Sequence, residues 1–91
     1  MLRNDQIQGV ALATPAETHA ELAVQAMQAG KDVFVEKPMA LTLEDAEKMK
    51  SVAEETNRIL MVGHLLEYHP AVLKLVEMIA SGELGKINYI Y

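Results

Sequence analysis

Three short apolar runs, centred near positions 10, 34 and 60, recur about every 25 residues, and each is followed by a stretch with helical periodicity. This spacing constrains the fold more than any other feature of the chain. A strand of four to seven residues, a helix and two short links fill one such interval. Successive intervals of this kind describe right-handed βαβ crossovers and hence a parallel sheet.

The first run, Ile7 to Ala13, contains Val10, Ala11 and Leu12 and stops at Thr14-Pro15. It is nearly continuous rather than alternating, so it is expected to be a strand covered on both faces. A helix from about Glu17 to Ala29 follows, with Ala20, Ala23, Val24 and Met27 on one side. Its start falls either at a capping box beginning with Thr14 or, as favoured, near Thr18, and Gly30 supplies a left-handed cap. The second run, Val33 to Glu36, breaks at Lys37-Pro38, because proline cannot donate to a ladder and holds its predecessor away from helical angles. Thr42-Leu43-Glu44-Asp45 opens a second helix. Its buried face is expected to carry Leu43, Ala46, Met49, Val52 and Ala53, with Glu44 and Lys48 paired outside and Asn57 as the stop.

Ile59 to Val62 forms the third run and ends at Gly63. His64 to His69 reads as a loop. Pro70 begins a third helix with Val72, Leu75, Val76 and Ile79 as its buried stripe and Gly82 as cap. Ile87 to Tyr91 alternates like a beginning strand. In open parallel sheets ligands bind beyond the carboxyl ends of the strands. That rule brings Thr14-Pro15, Glu36-Lys37-Pro38 and Gly63-His64 to one edge.

The rest of the composition narrows the classes. The chain is 51% hydrophobic but only 4% aromatic, the aliphatic mix of helices laid on a parallel sheet. A net charge of -5 without a lysine or arginine block argues against nucleic acid and anionic membranes. The absence of cysteine excludes disulfides and thiolate metal sites and fits a reducing compartment, so cytoplasm is the default. The opening residues Leu2 to Gln6 are too short and polar for a leader's apolar region, and no apolar run approaches the roughly 20 residues that span a bilayer, so a soluble protein is expected. His64, Glu67 and His69 do not reproduce a helical i,i+4 zinc pair, so no metal site is expected. Met27, Met49, Met61 and Met78 are read as space-filling.

Taken together, Ala13-Thr14-Pro15 with His19, Ala29-Gly30-Lys31-Asp32-Val33 leading into Glu36-Lys37-Pro38, and Gly82-Glu83-Leu84-Gly85-Lys86-Ile87 closely resemble the Gfo/Idh/MocA family of nicotinamide-dependent oxidoreductases. The resemblance implies an α/β fold, a partial Rossmann sheet of three βα units. Residues 1–86 would form the second half of the dinucleotide-binding domain, and 87–91 the first strand of a following substrate and oligomerisation domain. It implies hydride transfer between NAD or NADP and a hydroxyl or carbonyl carbon of a sugar, sugar nucleotide or cyclitol. Thr14, Pro15 and His19 match the loop on the nicotinamide side. Glu36, Lys37 and Pro38 match the family motif, in which the lysine lies near nicotinamide and substrate hydroxyl and is the catalytic candidate. His64 is expected at the cofactor edge.

The glycine-rich phosphate loop and the downstream acid/base histidine have no counterpart here. Glu67 stands where many members carry arginine, and the loop around it is more similar to the branch acting on UDP-sugars. A fragment of the enzyme, idle unless completed, is therefore one expectation. A non-catalytic truncated chain is the other. In both, the bare edge of the first strand favours self-association or pairing with a missing half.

Overall fold

The computed structural model describes residues 1–89. Strands β1 (Gly9–Leu12), β2 (Asp32–Val35) and β3 (Leu60–Val62) form a parallel sheet in the order β1-β2-β3, with Val10 beside Val33 and Val35 beside Val62. Helix α1 (His19–Gln28) connects the first two strands and α2 (Leu43–Thr56) the second pair, while α3 (Pro70–Ser81) follows the last. This is the α/β architecture that the 25-residue repeat implies.

The strands are not covered on both faces. Burial alternates along β1 and β2, with Val10, Leu12, Val33 and Val35 inside and Gly9, Ala11 and Phe34 on the other side. Handedness accounts for this. Both crossovers advance across the sheet in the same direction, so a right-handed connection places α1 and α2 on the same face. Ala23, Ala26 and Met27 of α1 and Met49 and Val52 of α2 complete one core there. Each of the larger buried side chains contributes about 1.5 to 3 kcal/mol by leaving water. Met61, read as space-filling, lies on the uncovered side and is 48% exposed.

Helix ends follow the capping chemistry closely. The Thr42 hydroxyl accepts the Asp45 N–H at 3.1 Å. Asn57 ends α2 in the left-handed region at φ 54°, and Gly30 and Gly82 adopt φ 80° and 81° after α1 and α3. α1 starts late, after a single 3-10 turn at Ala16–Thr18, and the Thr18 hydroxyl turns back to Thr14 rather than capping the helix.

Other expectations fail for want of a neighbour. Leu43 begins α2 but is 74% exposed. The α2 ion pair is Lys50–Glu54 rather than Glu44–Lys48, and at 4.0 Å in solvent it contributes little. The stripe Val72, Leu75, Val76, Ile79 of α3 has no fully buried member, because α3 packs chiefly on the 3-10 turn Leu65–Tyr68 and does not return to the sheet. Its projection stretches the molecule to 53 × 28 × 24 Å with a radius of gyration of 17.1 Å. A compact chain of this length has about 12 Å. Residues 87–89 are not in a strand, and the remainder of that expected strand lies outside the described residues.

Candidate functional site at the carboxyl edge of the sheet

The ladder carries the three corners to one edge. The Glu36 N–H donates to the Leu12 carbonyl at 3.0 Å and the Gly63 N–H to the Val35 carbonyl at 2.9 Å, so each strand hands over to its corner in register with its neighbour. Beyond these bonds the chain turns into Thr14-Pro15, Lys37-Pro38 and His64.

At the central corner, Lys37 is exposed, and its ammonium has no hydrogen-bond or ion-pair partner among the described residues. Its backbone N–H lies 3.3 Å from Glu36 Oε2, which orients the carboxylate along the corner. The other oxygen, Glu36 Oε1, lies against Gly63. A Cβ at Gly63 would sit 3.2 Å from that oxygen and 3.0 Å from Phe34 Cζ, so the third corner approaches this closely only because residue 63 has no side chain. Lys37-Pro38 is a cis peptide.

A hollow of about 150 Å³ opens between these two corners, lined by Glu36, Lys37, Gly63, His64, Leu65, Leu66 and Glu67. Leu65, Leu66 and Glu67 come from the 3-10 turn that replaces the expected loop, and sequence reasoning did not single them out as lining residues. The available signal was their position just after a strand end. Glu36, Lys37 and His64 thus come together at one hollow. Thr14 and Pro15 stand at the β1 corner of the same edge, and neither lines this hollow.

His19 has a different setting. It is the first residue of α1 and only 1% exposed; Nε2 lies 2.9 Å from the Thr14 carbonyl and Nδ1 2.8 Å from the Pro38 carbonyl. It stands behind the first two corners rather than on the surface they present. His69 caps α3, its Nδ1 accepting the Ala71 N–H at 3.1 Å, which occupies one of the nitrogens in the His64, Glu67, His69 series. A larger apolar groove runs along α2 and the β3 edge past Met39, Leu43, Ala46 and Leu60, away from Lys37.

A family model for oxidoreductases with an NAD-binding Rossmann fold matches residues 1–64. The chain belongs to the Gfo/Idh/MocA family. Among the family's curated members, 1-carboxy-3-chloro-3,4-dihydroxycyclohexa-1,5-diene dehydrogenase of Comamonas testosteroni is 37% identical over 91 residues, all of this chain and 23% of the relative. The scyllo-inositol 2-dehydrogenase (NAD+) of Bacillus subtilis is 35% identical over 98% of this chain and 26% of its own. Among solved structures, a 3-ketoreductase from Actinomadura kijaniata in complex with NADP and TDP-benzene superposes with a TM-score of 0.85 at 33% identity, covering 89% of this chain and 25% of that one. The chain spans about a quarter of the length of the Gfo/Idh/MocA relatives it matches.

The edge fits one end of a dinucleotide. An unpartnered ammonium, a neighbouring carboxylate and a small hollow with two leucines in its wall suit a flat, partly charged ring and a reacting oxygen. The starts of α2 and α3 do not suit a pyrophosphate. Thr42 caps α2 with its own hydroxyl, and α3 opens on Pro70 behind His69.

Proposed function

We propose that this chain is the lysine-bearing part of the dinucleotide domain of an oxidoreductase that transfers hydride between NAD or NADP and a carbon bearing a hydroxyl or carbonyl, on a sugar, sugar nucleotide or cyclitol. The observation that carries the reading is Lys37. It is an ammonium without a partner among the described residues, at the carboxyl end of the central strand, beside Glu36 and across from His64, in a chain of this family.

The bound nicotinamide supplies or accepts the hydride. Lys37 donates a hydrogen bond to the substrate oxygen and stabilises the negative charge that grows there as a carbonyl is reduced; in the reverse direction it holds the hydroxyl in place. Glu36 orients the corner through the Lys37 N–H. Thr14, Pro15 and Pro38 form the neighbouring wall, and His64 bounds the hollow on the β3 side. The inositol dehydrogenase and the ketoreductase among the relatives support this substrate class.

Titration of the chain with NADH and with NADPH, followed by nicotinamide fluorescence and by the NMR shifts of Lys37 and His64, tests the assignment. Saturable binding that perturbs both corners is expected. Shifts confined to residues remote from the carboxyl edge overturn it.

A second reading has its own support. β1 is an edge strand, and the face bearing Ala11, Phe34 and Met61 is uncovered, so the chain presents both a ladder and an apolar surface to another polypeptide. Sedimentation at micromolar concentration is expected to show association. A clean monomer counts against it.

A further inference from the structure

We propose that His19 is a positioning residue whose ring clasps the Thr14 corner to the Pro38 corner, so that helix α1, rather than the strand alone, sets where Lys37 stands. The effect on catalysis rests on the oxidoreductase reading; the clasp itself does not.

Few bonds hold the segment between β2 and α2. From Lys37 to Leu41, the backbone makes one hydrogen bond inside the segment's own corner, from the Lys37 N–H to Glu36. It makes one to the rest of the molecule, at the Pro38 carbonyl. Partly buried Met39 and Ala40 pack against the core and add an apolar anchor. His19 is therefore the single polar tether of this segment among the described residues. Its Nδ1 lies 2.8 Å from the Pro38 carbonyl but 19 residues before Pro38 in sequence, a separation that local chain stiffness cannot bridge.

The other end of the ring is equally fixed. Thr14 offers its carbonyl to Nε2; the Thr18 hydroxyl donates its one proton to the Pro15 carbonyl at 2.7 Å and accepts from the Thr14 hydroxyl at 2.7 Å. The β1 corner is thus tied to the first turn of α1 through two adjacent residues, Thr18 and His19, and the second of these reaches on to Pro38. Both ring partners are carbonyl oxygens, which only accept. A neutral imidazole satisfies one of them and a doubly protonated ring both. The ring itself is buried, so a His19 nitrogen that loses its partner finds no ready water.

The test uses NMR relaxation on the labelled chain, with His19→Leu to remove the ring nitrogens at similar bulk and His19→Gln to restore a side-chain donor. In the parent chain the His19 ring N–H signal is expected to exchange with water at least tenfold more slowly than those of exposed His64 and His69. In His19→Leu the order parameters of Lys37, Met39 and Ala16 are expected to fall from the rigid value of about 0.85 toward 0.6, while Val33 and Val35 stay rigid. His19→Gln is expected to recover part of the loss. Unchanged corners overturn the proposal. A loss spread evenly over strands and corners overturns it too, because His19 is then only a core residue, and so does a His19 ring that exchanges as fast as the other two. If the corners loosen as expected while neither NADH nor NADPH perturbs the parent chain, the clasp stands and the cofactor assignment falls.

Discussion

Lys31 and Lys37 flank the same strand, one before it and one after, and they are opposites in every physical respect. Lys31 is 5% exposed, with its ammonium donating to the Asn4 carbonyl at 2.7 Å. Around it the amino end of the sheet is tied down: Asp32 Oδ1 accepts the Ile59 N–H at 2.9 Å, and Arg58 donates to the Gly30 carbonyl at 3.2 Å. Lys37 is exposed and its ammonium has no partner among the described residues. One lysine is used up by the fold. The other is held available, and the difference lies in which end of a parallel sheet each occupies.

The two lysines differ most in what their removal does. In an enzyme containing this sequence, Lys37→Ala is expected to lower turnover by about 10²- to 10⁴-fold, the range for a group acting on the reacting oxygen. The thermal midpoint should hardly move, as steady-state kinetics beside thermal denaturation will show. Lys31→Ala should do the reverse. Loss of the buried stem and its bond to Asn4 is expected to cost about 1 to 3 kcal/mol in urea unfolding. Lys31→Met, which keeps most of the stem, should separate packing from the hydrogen bond.

Gly63→Ala tests the exposed end sterically. The new Cβ must displace the Phe34 ring and the Glu36 carboxylate, at a cost of about 1 kcal/mol because Phe34 can swing into the uncovered face. The shift of Glu36 is expected to appear as a changed Lys37 amide resonance. Asp32→Ala, at the other end, removes the acceptor for Ile59 and is expected to cost about 1 kcal/mol without altering that resonance.

Much of this contrast was legible in the sequence because it depends on local rules. Pro38 had to end a strand, Thr42 had to begin a helix, and Asn57, Gly30 and Gly82 had to end them. The strand period then fixed which corners share an edge. What was not legible depends on partners far away in the chain. Nothing local shows that Lys31 is buried, since its ammonium is taken up by the distant Asn4 carbonyl. His19 reads as a polar residue in a helical first turn, and its bond to Pro38 exists only once the sheet has formed. The apolar stripe of α3 is a sound helical pattern, but periodicity reports that a face is suited to burial and not what covers it. Coverage of one face of the sheet followed from crossover direction, which the continuous apolar runs concealed.

The one-way march of the crossovers also separates the places where this chain can change length from the place where it must not. Helices α1 and α2 both return to the sheet at its amino end, through Gly30 and Asn57 in left-handed turns. An added helical turn or an inserted loop there lengthens the return path and leaves the junctions at Thr14, Lys37 and His64 untouched. Labels on the exposed Gln28 or Glu55, close to these turns, therefore offer a way to report on the chain from the side opposite its chemistry.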